Sequence, residues 1–452
     1  MHRTIRSLPL CVAALALTMP AAADEVSELR QQLEMAKRAI EQMEGRIRQL
    51  EQQRPAPTSQ AIAPSAVAAT PPPPAAAAAP KRDRSFEVYG FAQVDYVQDF
   101  NRVNPAWDDT LRASRIPTTE GQYGGDGQAV LSVRQSRIGV QGKLPVGAHE
   151  LFTKFEIDMF GVGGDEGQTT IRLRHAYGEW GQLLAGQTHS LFMDIDLFPN
   201  TIDYWGPAGM VFLRNPQIRW TPLQGANSFA VAIEKPGNDI DEGAIRTVDP
   251  TLLPGGARLQ SDEAYPDITA QVRMNRDWGH LQLGGILRRL GYETVGAAGN
   301  NPDGRETGWG LDLSSNIKFG ADTLRLGVVY GEGIASYMND GGVDLAAAGA
   351  TPFDVEAVPL LGVVAYYDHY WSEQWSSSIG YSSTEVDNRD LQAGDAFDKG
   401  EYASVNLLYA PHPRILMGAE YLWGKRTDND GDSGEDNRLQ FSVKYSFSSL
   451  DF

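Results

Sequence analysis

The sequence contains a single cysteine in 452 residues. It is Cys11, inside a leading segment that reads as a removable export signal, so the chain that remains has no disulfide framework to fold around. Basic residues are also scarce, with 39 Lys and Arg against 58 Asp and Glu and a net charge of −19. Removal of Arg3 and Arg6 with the leader makes the balance two units more negative, which argues against nucleic acid as a partner. No later run approaches the ~18 consecutive apolar residues of a membrane-spanning helix. That absence does not bear on barrel strands, whose apolar positions alternate and escape a hydropathy window. Histidine is scarce too, 7 in all. His2 falls in the leader, and His149, His280 and His412 lie at predicted short turns. No Ser/His pairing or nucleophile elbow occurs. The expectation is a chain that performs no chemistry and has no cofactor and no dedicated metal site.

What is present divides the chain into four parts. Residues 1–23 have a basic start (His2, Arg3, Arg6), a mostly apolar run over 8–19, and Ala21-Ala22-Ala23 as a small-residue cleavage site, the pattern of a signal peptide. A membrane anchor is the alternative, but the run is short and Pro20 interrupts it. Residues 24–54 carry Val26, Leu29, Leu33, Ala36, Ile40, Met43, Ile47 and Leu50 at spacings that alternate between three and four. Held over four heptads, this predicts a coiled-coil helix. The run Arg46-Ile47-x-x-Leu50-Glu51 resembles a trimer-favouring pattern in which the Arg reaches the Glu of a neighbour; a dimer is the alternative. The trimerisation residues are then Leu29, Leu33, Ile40, Met43, Arg46, Ile47, Leu50 and Glu51. Residues 55–85 are rich in Pro and Ala, with four prolines at 71–74. Such a stretch cannot bury a core and predicts a semi-rigid spacer.

From residue 86 to the end, apolar and polar residues alternate in sixteen segments. The last is the cleanest: Leu439, Phe441, Val443, Tyr445 and Phe447 alternate with Gln440, Ser442, Lys444 and Ser446. Together with the terminal Phe452 it resembles the closing strand of bacterial outer-membrane barrels, although Leu450 and Phe452 are out of phase and a short tail is expected after Phe447. Short gaps fall at 144–148, 181, 223–225, 277–278, 320, 372–373 and 411–412. Long ones fall at 100–129, 161–168, 188–216, 235–265, 292–305, 332–357, 387–398 and 426–437. Seven short turns interleaved with eight long loops predict an all-β, 16-stranded antiparallel transmembrane barrel over residues 86–452, with both ends on the short-turn side. Trp180, Trp278, Trp371 and Trp375 flank short turns, as an interfacial girdle requires. The segment 358–371 is apolar on both faces, so its orientation cannot be assigned.

A barrel of this size is wide enough for an aqueous channel, so inward charges matter. Arg137, Lys154, Arg172, Arg174, Arg219, Arg273, Arg288 and Arg325 fall opposite the apolar stripes, as do Glu156, Asp158 and Asp312. Cations predominate, and fixed guanidinium groups in a low-dielectric wall concentrate anions. The competing reading is that these arginines pair with Glu156 and Asp158. The acid excess is then expected mainly in the outer loops and the linker-proximal helix. The loop 188–216 is too apolar for solvent (Phe192, Ile195, Leu197, Phe198, Tyr204, Trp205, Met210, Phe212) and is expected to fold into the barrel as a constriction. Asp194, Asp196 and Asp203 would then face the wall arginines, with Arg214 as the loop's own cation. Packing on a neighbouring protomer would use the same rings. The acidic run from Asp428 to Asp436 departs from a calcium loop, because Ser433 and Leu439 occupy the positions of the required Gly and final acid. It reads as a solvated outer loop.

Two motifs carry a more specific resemblance. Ser136-Arg137-Ile138-Gly139-Val140-Gln141-Gly142 resembles the second-strand motif of bacterial porins, where the Arg belongs to a basic ladder. Arg174-His175-Ala176-Tyr177, followed by Gly181 and Ala185-Gly186-Gln187, resembles the strand pair before the constriction loop, with Gln187 where general porins often have Arg. The layout of signal, coiled coil, Pro-rich spacer and barrel resembles the DcaP-like trimeric porins. The resemblance implies a homotrimer in the Gram-negative outer membrane, in contact with lipid and lipopolysaccharide. It also implies a periplasmic coiled coil and passive uptake of small anionic solutes such as dicarboxylates. Two rivals are a carbohydrate-preferring porin and a general porin whose coiled coil serves as a structural tether toward the cell wall. A sugar pore needs aromatics along the lumen, and most in the clean strands face outward.

Overall fold

The structure is a computed structural model that describes residues 84–161, 169–243, 258–295, 303–348 and 355–451. The signal peptide, the coiled coil with its trimerisation residues, and the spacer as far as residue 83 lie outside the described residues.

Sixteen spans form one closed antiparallel sheet. They are β1 (Ser85–Asp99), β2 (Gln128–Ser132 and Arg137–Val146), β3 (His149–Asp158), β4 (Arg172–Trp180), β5 (Leu183–His189), β6 (Arg214–Leu223), β7 (Asn227–Glu234) and β8 (Arg258–Asp262 and Asp267–Arg276). They continue as β9 (Gly279–Val295), β10 (Asp303–Phe319), β11 (Asp322–Glu332), β12 (Pro359–Tyr370), β13 (Trp375–Val386), β14 (Phe397–His412), β15 (Ile415–Asp428) and β16 (Ser433–Ser448). Each strand pairs with its neighbours in sequence. Closure comes from β1 against β16, in register from Tyr89↔Ser448 to Asp99↔Arg438. Closure leaves no open sheet edge, which a bilayer would not tolerate.

The side chains are distributed inside out. Ile379 is 58% exposed and Tyr445 57%, whereas Gln440 is fully buried. Large apolar residues line the outer wall and polar residues the inner one, the arrangement of a barrel bathed in lipid. No helix among the described residues is long and apolar enough to cross a membrane. Trp180, Trp278, Trp371 and Trp375 are exposed beside the short turns, and the tight turns use left-handed glycines such as Gly181 and Gly320.

The structure corrects several boundaries. The expected outer loop 426–437 is a hairpin of only four residues, 429–432, because β15 and β16 continue through the acidic run. Asp428 pairs with Arg426 and Asp436 with Arg438, so these carboxylates are wall groups and not a solvated loop. β8 begins at Arg258, eight residues before the expected start, and β2 is broken at 133–136. At that break Ser136 Oγ bridges the backbone of Gln93, accepting from its N–H and donating to its carbonyl. After β16 the chain makes one 3-10 turn, Ser449–Asp451, the short tail anticipated after Phe447.

β12 can now be oriented. Leu361 and Tyr367 face outward, while Leu360, Val364 and Tyr366 are buried inside the barrel. The inward face is apolar because it meets folded-in loop and not water. Leu360 packs with Phe192, Val211 and Met338. Val364 and Tyr366 pack with Leu197, Ala208 and Met210.

Candidate functional site: the lumen and its folded-in loops

Among the described residues, three connections enter the barrel. The loop between β5 and β6, residues 190–213, runs across the lumen as expected from its composition. Its Phe192, Met193, Leu197, Met210 and Val211 are almost fully buried. Residues of the β1–β2 loop join it, with Val103, Leu111 and Ile116 in the same apolar cluster. The β11–β12 loop contributes Ile334, Tyr337 and Met338. Near it, Ile240–Asp241, Leu345–Ala347 and Val355–Ala357 form a small separate sheet.

The crossing loop is held by inward carboxylates and hydroxyls of the wall. Glu234 accepts from Ser190 Oγ at 2.9 Å and from the Leu191 N–H at 3.1 Å. Asp368 accepts from the Asn200 N–H at 3.2 Å. Glu420 accepts from the Ile202 N–H at 2.6 Å, and Ser382 Oγ from the Ala208 N–H at 3.0 Å. A buried N–H must find an acceptor, and the strands supply one at each crossing point. Part of the acid excess therefore lies inside the barrel beneath the loop, in addition to any in the outer loops.

The loop's own acids meet the expectation in part: Asp194 and Asp196 face the wall arginine Arg273, whereas Asp203 is held by hydroxyls and backbone N–H groups. Asp194 does not face the pore: its side chain is buried, 2.6 Å from His280 Nε2, 2.8 Å from Ser314 Oγ and 3.1 Å from Arg273 Nη1. Burial alone would raise its pKa, but the hydrogen bonds from His280 and Ser314 and the charge of Arg273 outweigh burial and hold it below the ordinary carboxylate value. Asp203 is also buried, accepting from Thr110 Oγ1, the Leu111 N–H, the Gly206 N–H and Tyr402 OH. It ties two loops to the wall. Only Asp196 is exposed, and it pairs with Arg273. Arg214 is the first residue of β6 and so a wall cation at the loop's root. A carboxylate on an inward loop has two possible fates, anchor or lining, and alternation along the chain cannot tell them apart.

The basic residues sort similarly. Glu156 gathers Arg174 at 2.7 Å, Lys154 at 3.4 Å and Arg137 at 3.5 Å. Asp158 takes Arg172 at 2.7 Å and Arg174 at 2.9 Å. Four cations thus share two carboxylates, so the expected pairing is real yet incomplete. Arg325 pairs with Asp368. Arg219 bonds Gln217 Oε1 and the His189 carbonyl, with no carboxylate in ion-pair distance among the described residues. Arg288 does not line the pore. Its side chain is fully buried between Asp267 and Asp344, where it fastens the β11–β12 loop. Lys444 was missed as a lining cation, although its phase with Gln440 and Ser442 already points it inward. Its Nζ and the Arg137 guanidinium lie 5.3 and 5.2 Å from the Phe91 ring. Arg112, Arg115 and Arg426 carry no periodic signal, since loop folding brings the first two inward and β15 extends to include the third.

Among the described residues, three water-accessible cavities border the crossing loop; another, about 520 Å³, lies at the short turns with Lys143, Glu150 and Glu179. The outer one, about 580 Å³, is lined by Arg112, Arg115, Arg172, Arg214 and Arg426, with Asp239 and Asp340. A second, about 270 Å³, has Arg137, Arg174 and Lys444 with Asp203, and meets the first at Phe212. A third, about 380 Å³, lies beside the short turns with Arg273, Arg276, Lys318 and Arg325 against Asp196. Twelve Lys and Arg against four Asp line the three. The aromatics of the loops stack on one another instead of forming an open stripe. Tyr204 lies on Phe160 at 4.1 Å, Trp107 meets Trp205 at 4.7 Å, and Arg112 covers both indoles. Among the described residues, no three side chains of metal-ligating type converge.

Comparison with known proteins follows the fold. A family model described as DcaP outer membrane protein matches residues 67–447. The outer membrane channel DcaP of Acinetobacter baumannii superposes with a TM-score of 0.65 at 23% identity, over 81% of this chain and 98% of that one. An anion-selective porin from Comamonas acidovorans superposes with a TM-score of 0.52 at 11% identity, over 81% of this chain and 100% of that one. A search of curated proteins gave no match.

Proposed function

The chain belongs to the DcaP outer membrane protein family, and from that premise we propose that it is a passive bacterial outer-membrane channel that prefers small anionic solutes, dicarboxylates among them. The observation that carries the preference is the lining: twelve Lys and Arg face the three cavities that border the crossing loop, against four Asp, in a protein whose overall charge is −19. Fixed cations in a narrow, low-dielectric passage raise the local anion concentration. Arg137, Arg174 and Lys444 act where the crossing loop narrows the lumen. Arg172, Arg214 and Arg219 line the wall around it, Lys154 lies beside Glu156, and Arg273 and Arg325 lie toward the periplasm. The mutual stacking of Tyr204, Trp205, Trp107 and Phe160 leaves little ring surface for a sugar, which disfavours a carbohydrate pore. The test is the reversal potential of purified protein in a planar bilayer under a KCl gradient. An anion-selective potential is expected, weakened in Arg137→Ala and Arg174→Ala; cation selectivity would overturn the preference.

The working unit in this reading is a homotrimer after removal of residues 1–23, seated among lipid and lipopolysaccharide. Residues 24–54 form a periplasmic coiled coil, and 55–85 the spacer that joins it to the barrel over 86–452. The heptad seam with Arg46 and Glu51 supports three strands. Deleting residues 24–84 is expected to lower the temperature at which the trimer dissociates on semi-native gels. An unchanged dissociation temperature and an intact envelope would count against both assembly and tethering.

A further inference from the structure

The lipid-facing wall holds a carboxylate that solute passage does not use. Asp322 is the first residue of β11, just past a short turn, and shares the outward phase of Leu326 and Val328. The register that sets Thr323 against Asp368 brings His369 of β12 beside it. His369 shares the outward phase of Leu361 and Tyr367. Its Nδ1 lies 2.8 Å from Asp322 Oδ2, which also accepts from Tyr367 OH at 2.6 Å. Asp322 Oδ1 accepts from the Tyr370 N–H at 3.0 Å. Tyr367 lies nearly parallel to the imidazole, at 6.3 Å and 17°, and the Trp371 ring stands at 86° to it, 4.2 Å away. The indole is fixed in turn, since Trp371 Nε1 donates to Ser377 Oγ at 3.0 Å. Among the described residues no Lys or Arg comes within ion-pair distance of Asp322.

An interfacial girdle needs aromatic rings with polar edges, but it does not need an acid. A carboxylate turned toward lipid is costly and is ordinarily kept only for a task. Hydrogen bonds hold this one in place, yet none of them brings a permanent positive charge. A carboxylate set among aromatic rings is the chemistry that recognises an ammonium group. The cluster lies at the short-turn end of the barrel, level with the lipid headgroups of the periplasmic leaflet. Ethanolamine headgroups present a primary ammonium there, choline a quaternary one and glycerol none. Independently of the solute preference above, we infer that Asp322, Tyr367, His369 and Trp371 form a binding site for the headgroup of a phosphatidylethanolamine in that leaflet. The ammonium donates to the Asp322 carboxylate and rests against the exposed face of Trp371. With its Nδ1 proton given to Asp322, His369 keeps Nε2 as a further acceptor for the same group.

The experiment adds phosphatidylethanolamine, phosphatidylcholine and phosphatidylglycerol of identical acyl chains to the delipidated full-length protein in detergent and counts retained lipid by native mass spectrometry. Phosphatidylethanolamine is expected to bind about tenfold more tightly than phosphatidylglycerol, the worth of one charge-assisted contact. Phosphatidylcholine should fall between them, because it keeps the cation but has no N–H to donate. Asp322→Asn should bring phosphatidylethanolamine down to the phosphatidylglycerol level. Trp371→Leu should weaken the ethanolamine and choline lipids by about two- to fivefold, the range of an exposed cation–π contact, and leave the glycerol lipid unchanged. Trp371 is 65% exposed, so its variant tests the site even if Asp322→Asn fails to fold. Equal retention of the three lipids would overturn the site and leave an ordinary aromatic girdle. A preference for phosphatidylethanolamine that survives both substitutions would overturn it too, since the headgroup would then bind elsewhere on the wall.

Discussion

Asp344→Ala is expected to release the β11–β12 loop and raise single-channel conductance. Arg288 has no exposed side-chain surface, and its guanidinium is held by Asp267 at 3.1 Å and Asp344 at 3.0 Å. It also donates to the carbonyls of Gly333, at 2.6 Å, and Gly237. Asp344 does more than balance the charge. It accepts from the Ser336 and Asp239 N–H groups, so it joins two outer connections to one another and to β9. Removing one partner of a buried ion pair typically costs about 3–5 kcal/mol, because the remaining charge stays buried with its match gone. The hydrogen-bonded barrel has many other contacts, so the loss should appear first as detachment of these loops. Limited proteolysis within 333–348 and a larger conductance are the expected signs. Replacing Arg288, Asp267 and Asp344 together by apolar residues of similar volume should be far milder. Unchanged protease resistance and conductance in Asp344→Ala would show that the loop is held by packing alone.

Gly209→Val is expected to open the lumen through a different cause. Gly209 lies where the crossing loop touches the backbone of β12 and β13, and a Cβ there would overlap the carbonyl oxygens of Ser383 and Val363. Strand carbonyls in a closed sheet cannot step aside, so the loop must move. Overpacking of this kind costs roughly 1–3 kcal/mol where the structure can relax. Here relaxation means lifting Met210 and Val211, both almost fully buried, away from the wall. Conductance should rise and anion preference should weaken, because Phe212 and the loop would no longer confine solute against Arg137, Arg174 and Lys444. Gly209→Ala should show the same shift in smaller degree. A Gly209→Val channel with wild-type conductance and selectivity would mean that this loop does not form the constriction.

These two positions also mark the limit of what alternation along the chain can reveal. Arg137 and Arg288 look alike in sequence, each opposite an apolar stripe in a strand. One borders a cavity and the other is sealed under a loop, and the difference lies in residues that are tens of positions away for Arg288 and hundreds for Arg137. Lys444 and Arg438 were readable as inward from the phase of β16. Yet Arg438 is fully buried, pairing with Asp99 and Asp436 and donating to the Asp108 and Thr110 carbonyls, while Lys444 lines a cavity. The double apolar character of β12 had no local explanation until the crossing loop was seen to rest on it. Asp194 meets a wall arginine as expected, but nothing in the alternation shows that it and Asp203 would be buried as anchors, since a loop that crosses a lumen has an anchored face as well as a wet one.

The sequence by itself determined the number of strands, their alternating faces, the parity of turns and loops except at 426–437, and the inward folding of the loop it bounded at 188–216. Each follows from short-range physics: side chains alternate every second residue, lipid demands apolar surface, and an apolar loop avoids water. The tertiary structure alone decided which inward charges meet solute and which are consumed as fasteners. That choice depends on pairings between segments such as Asp344 with Arg288, Glu420 with Ile202 and Asp203 with Thr110. A charge acquires its role from what is packed over it, and that packing exists only once the barrel has closed and the loops have folded in.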